Sequence, residues 1–335
     1  MLAVALIATI VFFAIIVKKN ENSHVEVSSD LTTKSDVYVA GTENGVATLW
    51  KNGKAQRLAG GTYVNSVYVS GNDVYVVGAK TLREGSIAKL WKNGIAQNLT
   101  DGRNWSCANS VFVSGNDVYV AGIEIIKKKH VAKLWKNDKA QNLTDGKNHA
   151  EANSVFASEG DVYIVGNEDD DQLRDVVTLW KNGVAHRIAN GSARSVFVSG
   201  NDVYVAGRVM IQGVCFPTLW KNDMEQRLTP GNYFTSAYSI FVSDNDVYMA
   251  GFESDVQNHW VARLWKNSVM QNLAVGKNWS CANSVFVSGN DVYVAGWEKN
   301  AVGNDVAKLW KNGRVRNLTN GRSTAQANSV FVTKP

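Results

Sequence analysis

From Asp36 onward, short apolar runs alternate with polar turns. Ser110-Val-Phe-Val-Ser is followed by Gly115-Asn116 and then by Asp117-Val-Tyr-Val-Ala-Gly. Two β-rich runs joined by Gly-Asn-Asp predict a tight hairpin. Val131-Ala-Lys-Leu-Trp, a Lys-Asn-Asp turn and Ala140-Gln-Asn-Leu-Thr predict a second one. Other units carry Asn-Gly in that second turn, as at Asn52-Gly53 and Asn312-Gly313. Each unit thus reads as four short antiparallel strands.

The unit recurs. Leu-Trp-Lys-Asn stands seven times, at 49–52, 90–93, 134–137, 179–182, 219–222, 264–267 and 309–312. Asp-Val-Tyr and Ser-Val-Phe-Val keep the same rhythm. A period of about 44 residues with several strands per unit marks a radial β repeat. Units of that size cannot bury a core alone and must stack, so residues 36–335 are expected to form one domain. The prediction is an all-β fold, a seven-bladed β-propeller of four-stranded antiparallel blades. Blades packed face to face bury both sheet faces, which explains unbroken runs such as Val-Phe-Val and Val-Tyr-Val. The seven repeated Trp then fill the wide outer part of each gap and belong to the core. The series opens at Asp36 with the second strand type and ends with an orphan first strand at Ser329-Val-Phe-Val-Thr. That strand is expected to pair with the N-terminal blade and to hide an open sheet edge.

The N-terminus follows another pattern. Residues 1–17 are apolar except for Thr9, and Lys18-Lys19 follow. A helix of that length rises about 25 Å, enough to cross a bilayer core with snorkelling lysines. Residues 1–19 therefore read as a signal-anchor or transmembrane helix, with residues 2–17 in the membrane, and the polar residues 20–35 as a linker. The expected location is membrane-anchored, with the propeller outside the cytoplasm. The three cysteines, Cys107, Cys215 and Cys281, are odd in number and spread over distant units, so they read as small buried residues. A net charge of +5 is dispersed and forms no basic stripe with interleaved aromatics, which argues against nucleic acid as a partner.

The blade motifs resemble those of NHL- and kelch-like propellers in general form. They are most similar to bacterial repeat proteins whose blades read Leu-Trp-Lys-Asn-Gly, Gln-Asn-Leu-Thr and Ser-Val-Phe-Val. The resemblance spans residues 36–335. It lacks the Gly-His and Trp-Asp marks of WD40 blades and the Ser-x-Asp-x-Gly-x-Thr-Trp box of sialidases. It implies a fold and transfers no catalytic residue.

Turns joining consecutive strands alternate between the two ends of a blade. The Ser-Gly-Asn-Asp and Lys-Asn-Gly turns share one uniform face, and the variable connections share the other, where function on a β scaffold usually sits. The variable segments include 123–130, 167–175, 208–217, 252–260 and 297–305. Of the eleven Trp, four lie outside the repeat, and all four fall on this face: Trp105, Trp260, Trp279 and Trp297. With Tyr63, Tyr233 and His149 they form the candidate ligand-binding set, since aromatic rings beside amides stack on sugars or anchor proteins. Capping of the blade ends is the competing role for these rings.

The sequence contains no CxxC or Cys/His ligand spacing, and the acidic run Glu168-Asp169-Asp170-Asp171 lacks the spacing of a calcium loop. No metal site, cofactor or catalytic residue is assigned. The expected function is a non-catalytic, membrane-anchored binding module that presents its variable face to a glycan or protein ligand. The alternatives are a hydrolase or lyase at the channel mouth, using carboxylates among Glu124, Glu151, Glu253, Glu298 and Asp305, and a purely structural scaffold.

Overall fold

The computed structural model describes residues 35–229, 234–274 and 278–334. The predicted helix 1–19, nearly all of the linker 20–35, and Tyr233 lie outside the described residues. Among the described residues no helix is long and apolar enough to cross a membrane.

Seven four-stranded antiparallel sheets form the body. Blades 2 to 7 are continuous in sequence, over 63–98, 106–142, 150–190, 192–227, 235–272 and 280–317. Blade 1 takes three strands from the N-terminal side, Val37–Glu43, Val46–Lys51 and Lys54–Arg57, and its fourth from Ala325–Val332. Val37–Glu43 and Ala325–Val332 run antiparallel, from Val37 opposite Val332 to Glu43 opposite Ala325. The expected closure is therefore present.

The Ser-Val-Phe-Val strands are innermost, each touching its counterparts in both neighbouring blades around a complete circle. Two rings of contacts join them. Each Ser Oγ accepts the backbone N–H of the residue that follows the matching Ser in the next blade, at 3.1–3.3 Å, from Ser66 with Val111 round to Ser329 with Val67. Nearer the uniform face, Tyr68, Phe112, Phe156, Phe197, Phe241, Phe286 and Phe331 touch in sequence and close on themselves. Their centroids lie 4.5–4.9 Å apart.

The core sits between blades. Each of seven buried clusters takes its Tyr from one blade and its Trp from the next, with small and aliphatic residues from both. All seven repeated Trp are 0–1% exposed, as their expected core role requires.

The Lys-Asn of the repeat has its own task. In blade 3, Asn137 occupies the turn at φ 46°. Its Oδ1 accepts the N–H of Val118, and its Nδ2 donates to Asp117 Oδ1 at 2.7 Å. Lys136 pairs with Asp117 Oδ2 at 2.8 Å and lies over the Tyr119 ring at 5.2 Å. The Asp–Lys pair recurs in every blade at 2.6–2.8 Å. The uniform face is uniform because each blade needs this staple.

Two segments read as loops are strand. In blade 3, residues 123–126 and 129–132 stay paired, and the turn is only Lys127-Lys128, both at positive φ. In blade 5, Asp202–Ile211 and Val214–Lys221 meet at Gln212-Gly213 in the same way. Neither turn carries the Asn-Gly signal of a hairpin.

Candidate functional site

Every inner strand carries a β-bulge at its variable-face end. In blade 3 Ala108 faces Gly122 and Ser110 faces Ala121, which leaves Asn109 without a partner on the adjacent strand. The extra residue is Asn65, Asn109, Asn153, Arg194, Tyr238, Asn283 and Asn328 in blades 2 to 7 and then blade 1. A bulge re-aims its side chain. It also explains the invariant Gly of Val-Ala-Gly: a Cβ added at Gly122 would fall on the carbonyl oxygen of Cys107. This close approach, beyond general tight packing, makes the glycine necessary.

The bulged residues ring the axis. Each of the five Asn donates its Nδ2 to a backbone carbonyl of the next blade at 2.8–3.0 Å. Arg194 and Tyr238, in adjacent blades, break the ring. Above it opens a cavity of about 560 Å³ lined by all seven bulged residues together with Glu151, Cys281, Gln326, Trp260 and Trp297.

One wall is aromatic. Trp260, which opens the strand Trp260–Lys266, stacks on Phe252 at 4.4 Å and lies 6.5 Å from Trp297. Phe252 in turn touches Tyr238 at 5.6 Å. Trp297 is 8% exposed and packs with Cys281 and Phe252, so it is part wall and part core. Trp279, 36% exposed, extends the patch outward, 5.4 Å from Trp260 and 5.8 Å from His259.

The remaining candidates lie elsewhere. Trp105, 38% exposed, is stacked on His130 at 6.5 Å, and His130 meets His149 edge-on at 4.9 Å. These three form a second cluster, in the sector of blades 3 and 4, away from the tryptophans of blades 6 and 7. Tyr63 borders a separate cavity of about 490 Å³ that shares Asn65, Gln326 and Asn328 with the axial mouth. Burial pushes its phenol well above the ordinary tyrosine range.

The titratable groups are mostly committed to structure. Glu124 pairs with Lys133 at 2.7 Å, Glu253 with Arg263 at 3.3 Å, Glu298 with Lys308 at 2.7 Å and Asp305 with Lys299 at 2.9 Å. Each pair bridges neighbouring strands of one blade. Asp170 organises its own loop, accepting the N–H groups of Gln172 and Arg174 and pairing with the Arg174 guanidinium. Asp255 and Asn300 accept backbone N–H groups at the same offsets in blades 6 and 7. The acidic run therefore reads as a loop clasp. Cys107, Cys215 and Cys281 are free and buried. Burial pushes the Cys107 thiol up to about 11, which leaves it a poor nucleophile.

Sequence reading missed Arg194 and the asparagine ring. The signal was present in the column before each Ser-Val-Phe or its equivalent, where Asn recurs and Arg194 and Tyr238 depart from it.

No family model and no curated protein matches the chain. Solved structures resemble it in fold. The β-propeller domain of the Trilobed protease from Pyrococcus furiosus, described as having an open velcro topology, superposes with a TM-score of 0.53 at 11% identity, over 86% of this chain and 95% of that one. A puromycin-hydrolyzing peptidase of Mycobacterium tuberculosis gives a TM-score of 0.54 at 12% identity, over 84% of this chain and 52% of that one. This chain thus spans about half the length of the peptidase. At such identities the likeness concerns the propeller alone.

Proposed function

We propose that the protein is a binding module whose axial mouth on the variable face takes the end of a glycan. The observation that carries this reading is the pairing of the Trp260–Trp297 wall with an opposing arc of asparagine amides around one concave cavity. An indole face stacks on the apolar face of a sugar ring, while amides exchange hydrogen bonds with its hydroxyls. A flat protein partner would not need a polar pit on the axis. In this reading the apolar residues 2–17 tether the module to a membrane with the propeller outside the cytoplasm, and the blade motifs group it with NHL- and kelch-like propellers.

The test is retention of the purified full chain on a glycan array, with Trp260→Ala alongside. The wild type is expected to hold a defined set of saccharides, and the variant to lose them while still unfolding cooperatively. No saccharide retained by the wild type, or unchanged retention by Trp260→Ala, removes the reading. Cell fractionation checks the tether: the full chain belongs in the membrane pellet, and recovery in the soluble fraction contradicts anchoring.

A further inference from the structure

The break in the asparagine ring carries a second message, which rests on the glycan reading and makes it more specific. Arg194 stands where five blades have Asn. Unlike those residues it makes no hydrogen bond or ion pair among the described residues; its guanidinium lies 6.0 Å from the Tyr238 ring and near enough to Asp175 to draw that carboxyl down against the burial that raises it. Its Nε is buried without an acceptor. A buried guanidinium nitrogen with no partner is costly, and in native proteins such a group calls for an explanation.

Carboxylates stand nearby, but none forms an ion pair with the guanidinium among the described residues. Glu151 lines the same cavity, yet its Oε1 is engaged by Asn167 Nδ2 at 3.2 Å and it forms no ion pair with Arg194. Asn167 is itself fixed, accepting Ala193 N–H at 2.8 Å and donating to Ser192 Oγ at 3.1 Å. Arg208, opposite Ser192 across the blade, adds positive charge near Tyr238. The negative charges in this sector are Glu151, Asp169 and Asp175.

We infer that Arg194 receives the carboxylate of an acidic sugar whose ring lies against Trp260, so that the preferred ligand is a uronic-acid-type saccharide. A guanidinium fork matches a planar carboxylate with two parallel N–H···O bonds. Glu151 beside it disfavours a dianion such as phosphate more than a singly charged carboxylate, because like-charge repulsion scales with charge. Phe252 joins Tyr238 to Trp260, so the guanidinium and the stacking surface belong to one continuous aromatic wall.

The experiment titrates the full chain with D-glucuronate, D-glucose and acetate and follows the side-chain Nε–H resonance of Arg194 by NMR. That resonance is assigned by its absence in Arg194→Asn. The variant restores the residue found in five other blades and can donate to the Ala237 carbonyl, so it is expected to fold. Glucuronate is expected to shift the resonance and to bind at least tenfold tighter than glucose. Arg194→Asn should remove that preference, so that glucuronate binds the variant no tighter than glucose does, with Arg194→Lys in between. Equal binding of glucuronate and glucose, or an unchanged preference in Arg194→Asn, overturns the inference and leaves the glycan reading standing. A shift with acetate but none with either sugar supports the carboxylate site and removes the glycan reading. No shift with glucuronate or acetate ends the inference.

Discussion

At the scale of single residues, the same amino acid does opposite work at different radii. Trp135 is 1% exposed between blades 2 and 3, and its indole N–H finds no acceptor. Its value is therefore volume, and the unpaired donor subtracts from it. Trp135→Ala should cost about 3–5 kcal/mol through the cavity it leaves. Trp135→Phe should lose less than half of that, because it keeps a ring and removes an unpaired donor that costs about 1–3 kcal/mol. Denaturant titration decides, and equal losses would mean that the indole N–H is satisfied in solution. The core role of this tryptophan is legible in the sequence because size and repetition both mark it. Arg194 is not legible by the same means. It lies inside a strand, and attention to variable loops passes over it. Only the bulge, which apolar patterning does not reveal, turns that position toward the cavity. Trp297 shows the converse, since a residue in a variable segment is also buried against Cys281 and Phe252.

At the scale of the strand and its turn, the repeated Lys-Asn is an electrostatic clasp. The Lys136 ammonium and the Asn137 amide hold the Asp117 carboxyl below its ordinary value of 3.8. The reciprocal contact with Asp117, followed by Tyr119, raises Lys136. A depressed carboxylate contributes stability that is complete above its unfolded pKa and disappears as the pH falls through its folded one. The equivalent aspartates of the other six blades are lowered by the same partners. The melting temperature should therefore drop steeply once the pH passes below about 3.8. Asp117→Asn should make that drop shallower, because one proton fewer is taken up on unfolding. A melting temperature that stays level down to about pH 2 would show the clasps to be energetically silent, as many exposed ion pairs are. Element boundaries illustrate a limit of sequence reading. Asn-Gly and Gly-Asn mark most hairpins, but Lys127-Lys128 and Gln212-Gly213 turn without that signature, so paired strand is mistaken for loop.

At the scale of the whole molecule, closure determines whether there is a site at all. Ala325–Val332 supplies the inner strand of blade 1, and with it one member of each axial ring: Asn328 to the amide ring, Ser329 to the hydroxyl ring and Phe331 to the aromatic ring. Gln326 also reaches the mouth, where it donates to Asp305 at 2.7 Å. Removing the strand strips the hydrogen-bonding edge of Val37–Glu43 and opens all three rings between blades 7 and 2. An exposed edge next to apolar surface is a template for association. A chain ending at residue 324 should therefore melt lower than Trp135→Ala and form oligomers on a sizing column. A peptide of residues 320–335 supplied in trans should restore the elution volume of the full chain by adding the missing strand. The physical basis is that the repeats gain stability only through their neighbours, so a ring with one strand missing loses interfaces on both sides of the gap. A truncated chain that keeps the elution volume and the melting temperature of the wild type would show that the other six blades hold the circle unaided. The axial cavity would then owe nothing to its last strand.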